Sequence, residues 1–81
     1  MGEGVLGGGG HMSPGDLIQM TKSCYAVESI EPRFRYTTRI LEPGVTGLVL
    51  ELSHVGTSEW MRILTDRGPA WCQTMNARRV Q

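Results

Sequence analysis

Short apolar runs separated by glycine, proline, aspartate and serine dominate the second half of the chain. Three of them follow one another, at residues 47–52, 59–65 and 69–75, and residues 66–68 form a tight connection between the last two. Runs of this kind bounded by turn residues are typical of antiparallel strands joined by hairpins. The pattern therefore predicts a three-stranded meander, which in so short a chain must curl into a small barrel to bury its apolar face.

The first half of the chain is less regular. A turn signal at residues 14–15 leads into a predicted strand at residues 17–20, and residues 24–32 show no clean period, which predicts a long loop. Residues 76–79 predict a single short turn before a last short strand. We therefore expect an all-β domain, a small barrel of about five antiparallel strands with a long first loop and a short 3₁₀ turn near the C-terminus.

A further strand is predicted after that loop, at residues 33–41. Alternation places four aromatic or β-branched residues on one face: Phe34, Tyr36, Thr38 and Ile40. It places the remaining polar and charged residues on the other face: Arg33, Arg35, Thr37 and Arg39. Aromatic and β-branched side chains suit a half-buried sheet surface, so we expect the first face to pack against the barrel or a second copy.

The opening residues 1–12 differ from the rest of the chain. They include four consecutive glycines and end in a His-Met pair of the kind left at a cloning site. We expect a non-native, disordered tail over residues 1–12 and one domain over residues 13–81. A domain of about 70 residues buries only about 60% of its unfolded surface, so association with another chain would add stability.

The overall charge excludes some classes of partner. Eight basic and eight acidic residues give a formal net charge of zero, so a global basic field for nucleic acid is absent. No apolar run approaches the roughly 20 residues of a transmembrane helix, and no secretory signal pattern opens the chain. We expect a cytoplasmic protein that does not bind membranes.

The titratable and nucleophilic residues do not form a recognisable catalytic or metal set. Cys24 and Cys72 are expected to be reduced and buried as small apolar groups, because nothing indicates export. With His11 and His54 they provide no cluster of four ligands for a structural zinc ion. His54 is expected to be solvated in a hairpin loop, and no nucleophile motif or phosphate loop occurs. We expect no catalytic residues, no metal and no cofactor.

The order of the predicted elements resembles the SH3-like barrel. Within that class the chain is most similar to small uncharacterised SH3-like proteins of tailed bacteriophages, including marine cyanophages. The segments that support the likeness are residues 14–18 (Pro-Gly-Asp-Leu-Ile), 22–24 (Lys-Ser-Cys) and 60–64 (Trp-Met-Arg-Ile-Leu). The resemblance implies a fold, a phage origin, and a location in the host cytoplasm or the virion. It implies no catalytic residues, because a fold does not define an activity.

A second resemblance gives an enzymatic alternative. The plasmid-borne, trimethoprim-resistant dihydrofolate reductases are short SH3-like barrels that assemble as tetramers around one pore. They share a Gly-Asp first strand and a Tyr-Ala-Val-Glu-Ser string with this chain, in which the string is residues 25–29. Here the string lies near the first strand instead of late in the barrel, and the active-site Val-Gln-Ile-Tyr motif is missing. The pore enzyme is therefore the weaker alternative.

The arginines and aromatic residues of the 33–41 segment suggest a binding function. Arginine neutralises phosphates and aromatic rings stack on bases, so this mixture suits single-stranded nucleic acid. The residues concerned are Arg33, Phe34, Arg35, Tyr36 and Arg39. Nearby glutamates dilute the positive potential, and a solvated strand face is the alternative interpretation.

Trp60 and Trp71 lie on adjacent predicted strands. They either pack in the core or at its rim, or line an aromatic groove of the kind that SH3 domains use for proline-rich peptides. Only two tyrosines accompany them, which favours packing. An exposed indole would instead mark a protein interface.

Together these features predict a non-enzymatic interaction module that binds itself or a protein partner, with single-stranded nucleic acid as the alternative ligand. Because the 33–41 strand lies outside the five-strand core, its edge and its apolar face need cover. We therefore expect a homodimer or small closed oligomer, in which its arginines meet acidic residues across a two-fold axis. The predicted interaction residues are Arg33, Phe34, Arg35, Tyr36, Arg39, Trp60 and Trp71.

Overall fold

The computed structural model describes residues 12–31, 33 and 35–80. They form one antiparallel sheet of seven strands that curls into a half-barrel, so the predicted all-β class is confirmed. The strands are β1 (Leu17–Met20), β2 (Cys24–Val27), β3 (Thr37–Leu41), β4 (Thr46–Val55), β5 (Ser58–Thr65), β6 (Gly68–Gln73) and β7 (Ala77–Arg79). Their order across the sheet is β3-β2-β6-β5-β4-β1-β7, which leaves β3 and β7 at the edges.

The predicted meander is present as β4, β5 and β6, which pair with one another in chain order. Val55 pairs with Ser58 and Thr65 pairs with Gly68, so two-residue hairpins make both turns. Gly68 has a φ of 101°, a conformation that residues with a Cβ rarely adopt. The geometry of this turn therefore requires a glycine at position 68, the last residue of the predicted connection.

The core lies on the concave side of the curled sheet. Ile18, Met61 and Ile63 are its most deeply buried large side chains, each with no exposed surface. The other buried members of the cluster are Met12, Met20, Cys24, Ala26, Leu41, Val49, Ala70 and Cys72. Each strand from β1 to β6 contributes at least one of them, so the curl of a single sheet encloses the core without a second layer.

Met12 lies in the core, one residue before the predicted start of the domain. It is buried in the core cluster, although the sequence places it at the end of a non-native tail. The rest of that predicted tail, residues 1–11, lies outside the described residues. The folded domain therefore includes Met12.

The predicted strand count of about five is wrong, because the long connection contains a strand pair. Residues 24–32 were expected to form a loop, but Cys24–Val27 are β2, paired with β3 along its length. Cys24 and Ala26 are buried while Tyr25 is exposed, so β2 alternates with small inward residues. That short pattern is too weak to predict a strand without its partner. β3 begins at Thr37, four residues later than the strand predicted at 33–41.

The C-terminal turn is present but lies earlier than predicted. A 3₁₀ helix covers Thr74–Asn76, so that only the first of the four residues expected to form the turn belongs to it, and the other three are β7. Thr21 donates two hydrogen bonds to the Asn76 carbonyl, from its backbone N–H at 2.8 Å and its hydroxyl at 3.1 Å. These bonds hold the helix against the end of β1, and β7 then pairs with β1.

β4 contains a bulge that changes which of its leucines face the core. Leu48 pairs with Leu64 and Val49 with Ile63, but the register then shifts, and Glu51 is the next residue to pair. An extra residue in a strand inverts the alternation beyond it. Leu48 therefore points away from the core, while Leu52 is opposite the buried Met61 and packs against the core. Regular alternation would place Leu48, Leu50 and Leu52 on one face, and the bulge is the reason that they do not share one.

We expect Gly47→Val to destabilise the fold by about 1–3 kcal/mol, the usual cost of overpacking a core. A Cβ at Gly47 would lie 3.2 Å from Ile63 Cδ1 and 3.2 Å from the Leu64 carbonyl oxygen, which is fixed in the sheet. Urea unfolding measures the effect. Thr46→Val, at an exposed position one residue earlier, is the control and should change stability by less than about 0.5 kcal/mol. Equal stability of the two variants would contradict the prediction.

Candidate functional site

Arg39, predicted as a binding residue, connects β3 to the β5–β6 hairpin by hydrogen bonds. Its Nη2 donates to Thr65 Oγ1 at 2.7 Å and to the Gly68 carbonyl at 3.0 Å. The guanidinium is half-buried, and the Thr65 hydroxyl that it contacts is in turn bonded within the β5–β6 turn. These contacts indicate a structural role for Arg39, because its charge is used inside the fold.

The predicted faces of the 33–41 segment are wrong at Tyr36, Arg39 and Ile40, although the other described members of the polar face are exposed as expected. Ile40 and Tyr36 are exposed, whereas Arg39 turns toward the core side. The register between β2 and β3 shifts at Ala26 and Val27, and this irregularity breaks the simple alternation on which the expectation depended. Phe34 lies outside the described residues, so its predicted role stays a prediction.

The Arg35 side chain packs against Trp60 and does not extend freely into solvent. Its guanidinium carbon is 5.0 Å from the centroid of the indole ring, within the range of a cation–π contact. Its Nη2 also donates to the Ile30 carbonyl at 2.8 Å. Trp60 is only 7% exposed, and it faces away from the core because the neighbouring Met61 faces inward. The segment before β3 therefore covers the outer side of β5.

Trp60 and Trp71 share the outer face of the sheet but do not line an open aromatic groove. Trp60 pairs with Gln73, and Trp71 pairs with Arg62 and with Val27, so the two indoles are diagonal neighbours on β5 and β6. Trp60 is buried and Trp71 half-buried. Their arrangement matches packing on the rim of the fold better than a peptide-binding groove.

A cleft opens between the start of β2, the segment before β3 and the 3₁₀ helix. Its volume is about 460 Å³. The side chains around it are Ser23, Cys24, Tyr25, Val27, Arg35, Thr37, Trp60, Gln73 and Asn76. None of these is acidic and one is cationic. The cleft therefore presents hydroxyl, amide, thiol and guanidinium groups, which suit a polar or anionic ligand.

Cys24 lies in the lining of this cleft, and Cys72 belongs to the same buried core cluster as Cys24. Cys24 of β2 and Cys72 of β6 are both unoxidised and buried. A hydrogen bond from the Cys72 thiol, with a weaker one from Asn76, lowers the pKa of Cys24. The same thiol–thiol hydrogen bond, together with burial, raises the pKa of Cys72 well above that of an ordinary thiol. Cys24 is thus the thiolate-forming member of the pair.

The outer side of the sheet carries an exposed apolar row that the sequence pattern did not reveal. Leu17 pairs with Leu48, Leu48 with Leu64, and Leu64 with Pro69, so these residues cross four strands in line. Val80 donates its N–H to the Leu17 carbonyl at 2.8 Å and extends the line. The three leucines are 37%, 38% and 43% exposed. We call Val80, Leu17, Leu48, Leu64 and Pro69 the outer row.

Charged residues flank the outer row at both ends. Near Leu17, the Arg79 guanidinium is 3.8 Å from Asp16 Oδ2. Arg78 precedes Val80 by two residues, and its Nη2 donates to Gln19 Oε1 at 2.9 Å. At the opposite end Asp66 follows Leu64 by two residues in the β5–β6 turn. The strand directions place Arg78 and Asp66 on the same side of the row, a cation at one end and an anion at the other.

The remaining polar chemistry is sparse. His54 Nε2 lies 3.7 Å from Glu59 Oε2 near the β4–β5 hairpin, with most of the imidazole exposed. Among residues 12–31, 33 and 35–80, no three His, Cys, Asp or Glu side chains are grouped so that they would hold a metal ion. Within the same described part of the chain, no helix has the length and apolar character to cross a bilayer.

Comparison of the chain with protein-family models, with curated proteins and with solved structures gives no match. The resemblance to SH3-like proteins therefore depends on the sequence motifs and the order of elements alone.

The different contributions of Arg39 and Arg35 to stability can be measured. We expect Arg39→Met to lower the free energy of unfolding by about 1.5–3 kcal/mol, because it removes the hydrogen bonds of a charged group to Thr65 and Gly68. Arg35→Met should cost about 1 kcal/mol or less, the value of an exposed cation–π contact. Urea unfolding of both variants tests this order, and a larger loss for Arg35→Met would show that Arg39 is not the structural member.

Proposed function

We propose that this protein is a non-enzymatic interaction module that self-associates through the outer row. The observation that supports it is the alignment of three exposed leucines across β1, β4 and β5 by the strand registers. Contiguous exposed apolar surface on a small domain marks an interaction site, whereas single exposed leucines do not. The described residues also group no nucleophile with a base and an orienting partner in the cleft.

We further propose that the curled sheet is an SH3-like barrel of the phage type. A first strand, a long connection, a three-stranded meander, a 3₁₀ helix and a short last strand follow in the order expected for that class. The strand pair β2–β3 then corresponds to the long first loop of the barrel. A phage origin, with a location in the host cytoplasm or the virion, belongs to this proposal and rests on the motif likeness.

The sheet edges are less suited to self-association than the outer row. β7 has only three residues, and the other edge strand, β3, meets β2 through a register irregularity. Short edge strands and bulges are the devices by which proteins prevent edge-to-edge pairing. The edge contact expected for the 33–41 strand is therefore the weaker of the two surfaces.

The exposed apolar area of the outer row limits the free energy of association. Fully burying a leucine contributes about 1.5–3 kcal/mol, so the remaining exposed part of six leucines, three from each copy, contributes roughly 4–7 kcal/mol. Association costs about 4–15 kcal/mol in lost freedom. The two ranges overlap only at the low end of the cost, so we expect at most a weak dimer that forms at high concentration.

Charge complementarity favours a second copy as the occupant. Consider two copies packed face to face and related by a two-fold axis that runs parallel to the strands at the position of Leu48. The outer row of one copy then lies antiparallel to the outer row of the other. Arg78 at one end then faces Asp66 of the other molecule, and the contact occurs twice. Because the convex sheet curves away at both ends, the leucines make the centre of the contact and the charges make its rim.

The test is sedimentation at increasing concentration, to about 1 mM. We expect the wild type to show a rising average mass and the Leu48→Lys/Leu64→Lys double variant to stay monomeric, because two buried charges would be unpaired. Leu50→Lys is the matched control: Leu50 is exposed on the same strand but lies at the bulge, outside the row. It should associate like the wild type.

The charge pairing provides a second check. Asp66→Arg should weaken association by placing two arginines together, and adding Arg78→Asp should restore it. A wild type that is monomeric over the whole range, or a Leu50→Lys variant as impaired as the row variant, would overturn the self-association proposal.

Single-stranded nucleic acid is the second candidate, favoured by one observation. Tyr25 and Tyr36 are 67% and 61% exposed, and Arg35 lies on the same part of the surface, beside the cleft. Exposed aromatic rings next to a guanidinium can stack on bases and contact a phosphate. With Arg39 committed to the fold, few cations remain for the backbone, so weak binding is expected.

Fluorescence anisotropy with short DNA and RNA oligomers tests this candidate. We expect weak binding. The logarithm of the association constant should fall linearly with the logarithm of the salt concentration, with a slope of about 0.7 for each phosphate contacted. Tyr36→Ser should weaken it through the loss of stacking, whereas Arg67→Ser, a change of an exposed arginine in the distant β5–β6 turn, should leave it nearly unchanged. Salt-independent binding, or no binding at low salt, would eliminate the candidate.

A further inference from the structure

The cleft beside β2 exists because two neighbouring strands of the sheet separate. β2 and β6 pair at one position only, Val27 with Trp71. Beyond that pair β6 ends at Gln73, and the 3₁₀ helix directs the chain to β1, where the Asn76 carbonyl accepts backbone hydrogen bonds. The fold itself therefore holds the strands apart and leaves an opening of about 460 Å³. That volume lies within the range of about 300–1,000 Å³ typical of small-molecule sites.

Arg35 provides a positioned cation at this cleft. Its guanidinium carbon lies over the Trp60 ring, 5.0 Å from the centroid, and its Nη2 donates to the Ile30 carbonyl at 2.8 Å. An arginine has five N–H donors in a rigid fork, so donors remain for the oxygens of a carboxylate or a phosphate. Because two contacts already restrict the side chain, less free energy is lost when a ligand orders it.

The charge around the cleft selects the sign of the ligand. No carboxylate is among the described residues that line it. Ser23 in the lining donates its hydroxyl to Glu42 Oε1 at 3.0 Å, but Glu42 itself is outside the lining. A cationic ligand would meet Arg35 without a counter-charge, whereas an anion gains a charge-assisted hydrogen bond. The cleft therefore favours an anion.

The two strand walls of the cleft suit a planar ring with a polar edge. Tyr25 on β2 is 67% exposed, which leaves aromatic surface for stacking. Gln73 on β6 is half-buried, and no described residue makes a hydrogen bond to its side-chain amide. An amide offers a donor and an acceptor together, and a half-buried one without a protein partner needs water or a ligand to satisfy it.

We propose that this cleft binds a small aromatic anion. Arg35 holds the carboxylate or phosphate of the ligand, the ring packs against Tyr25, and Gln73 forms a hydrogen bond with the polar edge of the ring. The site is separate from the outer row and does not depend on self-association. It shares Arg35 and Tyr25 with the nucleic-acid candidate, but it takes one ring at a time and requires no strand.

The experiment titrates the full chain with two probes, adenosine monophosphate and 4-hydroxybenzoate, which carry a phosphate and a carboxylate on a ring system. The protein is kept at a concentration at which it is monomeric. Nitrogen-15 NMR follows the backbone N–H of Tyr25, the side-chain amide of Gln73 and the indole N–H of Trp60. We expect saturable shifts of these signals with at least one probe, and the probe with the lower dissociation constant identifies the anionic group.

Neutral analogues test the contribution of the ligand charge. Adenosine lacks the phosphate of the first probe, and phenol lacks the carboxylate of the second. Each should bind at least about tenfold more weakly than its matching anion, because the charged hydrogen bond to Arg35 is lost.

Two variants test the residues on the protein side. Arg35→Gln should reduce the affinity for the bound anion to that of its neutral analogue. Gln73→Glu keeps the shape of the side chain but places a carboxylate in the cleft, so it should also weaken anion binding. Arg67→Gln, a change of an exposed arginine in the β5–β6 turn, is the matched control and should bind like the wild type. Urea unfolding checks that all three variants remain folded.

Three results would overturn the proposal. The first is the absence of saturable shifts with either probe at millimolar concentration. The second is binding that shifts signals outside the cleft or that Arg35→Gln leaves unchanged. The third is a neutral analogue that binds as tightly as its anion.

A parallel titration with a short single-stranded oligonucleotide separates this proposal from the nucleic-acid candidate. Binding of the strand but of neither probe would overturn the small-ligand site and leave that candidate in place. Binding of a probe without binding of the strand would support the small-ligand site and eliminate the strand.

Discussion

The bulge in β4 is the constraint on which both sides of this molecule depend. A strand alternates its side chains, and the irregularity after Val49 inverts that alternation halfway along the longest strand of the sheet. Before the bulge, Val49 faces the core and Leu48 faces solvent. Beyond it, Leu52 lies against the core. The same irregularity increases the local twist, which helps a single sheet close around its own apolar face.

The outer row is a direct consequence of that geometry. Because Val49 occupies the inner position, its neighbour Leu48 must point outward, and the registers of β1 and β5 place Leu17 and Leu64 beside it. Gly47 and Ile18, opposite each other on the adjacent row, face inward and leave no room there for a larger side chain. The row is therefore tied to the packing of the core and cannot be removed by a shift of register without disrupting the core itself.

The meander could be predicted from the sequence because its turns and apolar runs are local signals. The strand β2 could not, since its inward residues are a cysteine and an alanine, and their burial is apparent only when β3 and β6 lie beside them. The outer row was hidden for a related reason. Leu48, Val49 and Leu50 are consecutive apolar residues, which shows that one of them must be exposed, but only the register of β4 on β5 decides which.

The arginines of the 33–41 segment show how alternation alone misassigns function. The pattern places Arg35 and Arg39 on one solvent-facing strip, yet β3 begins only at Thr37 and its register to β2 is irregular. Arg35 lies before the strand and rests on Trp60, while Arg39 is directed to the hairpin at Thr65 and Gly68. The two charges therefore act on different parts of the fold. A chain of this size has few charges with which to bind a polyanion, and a charge that is used inside the fold is lost to that purpose. The balance therefore moves toward the apolar contacts of the outer row.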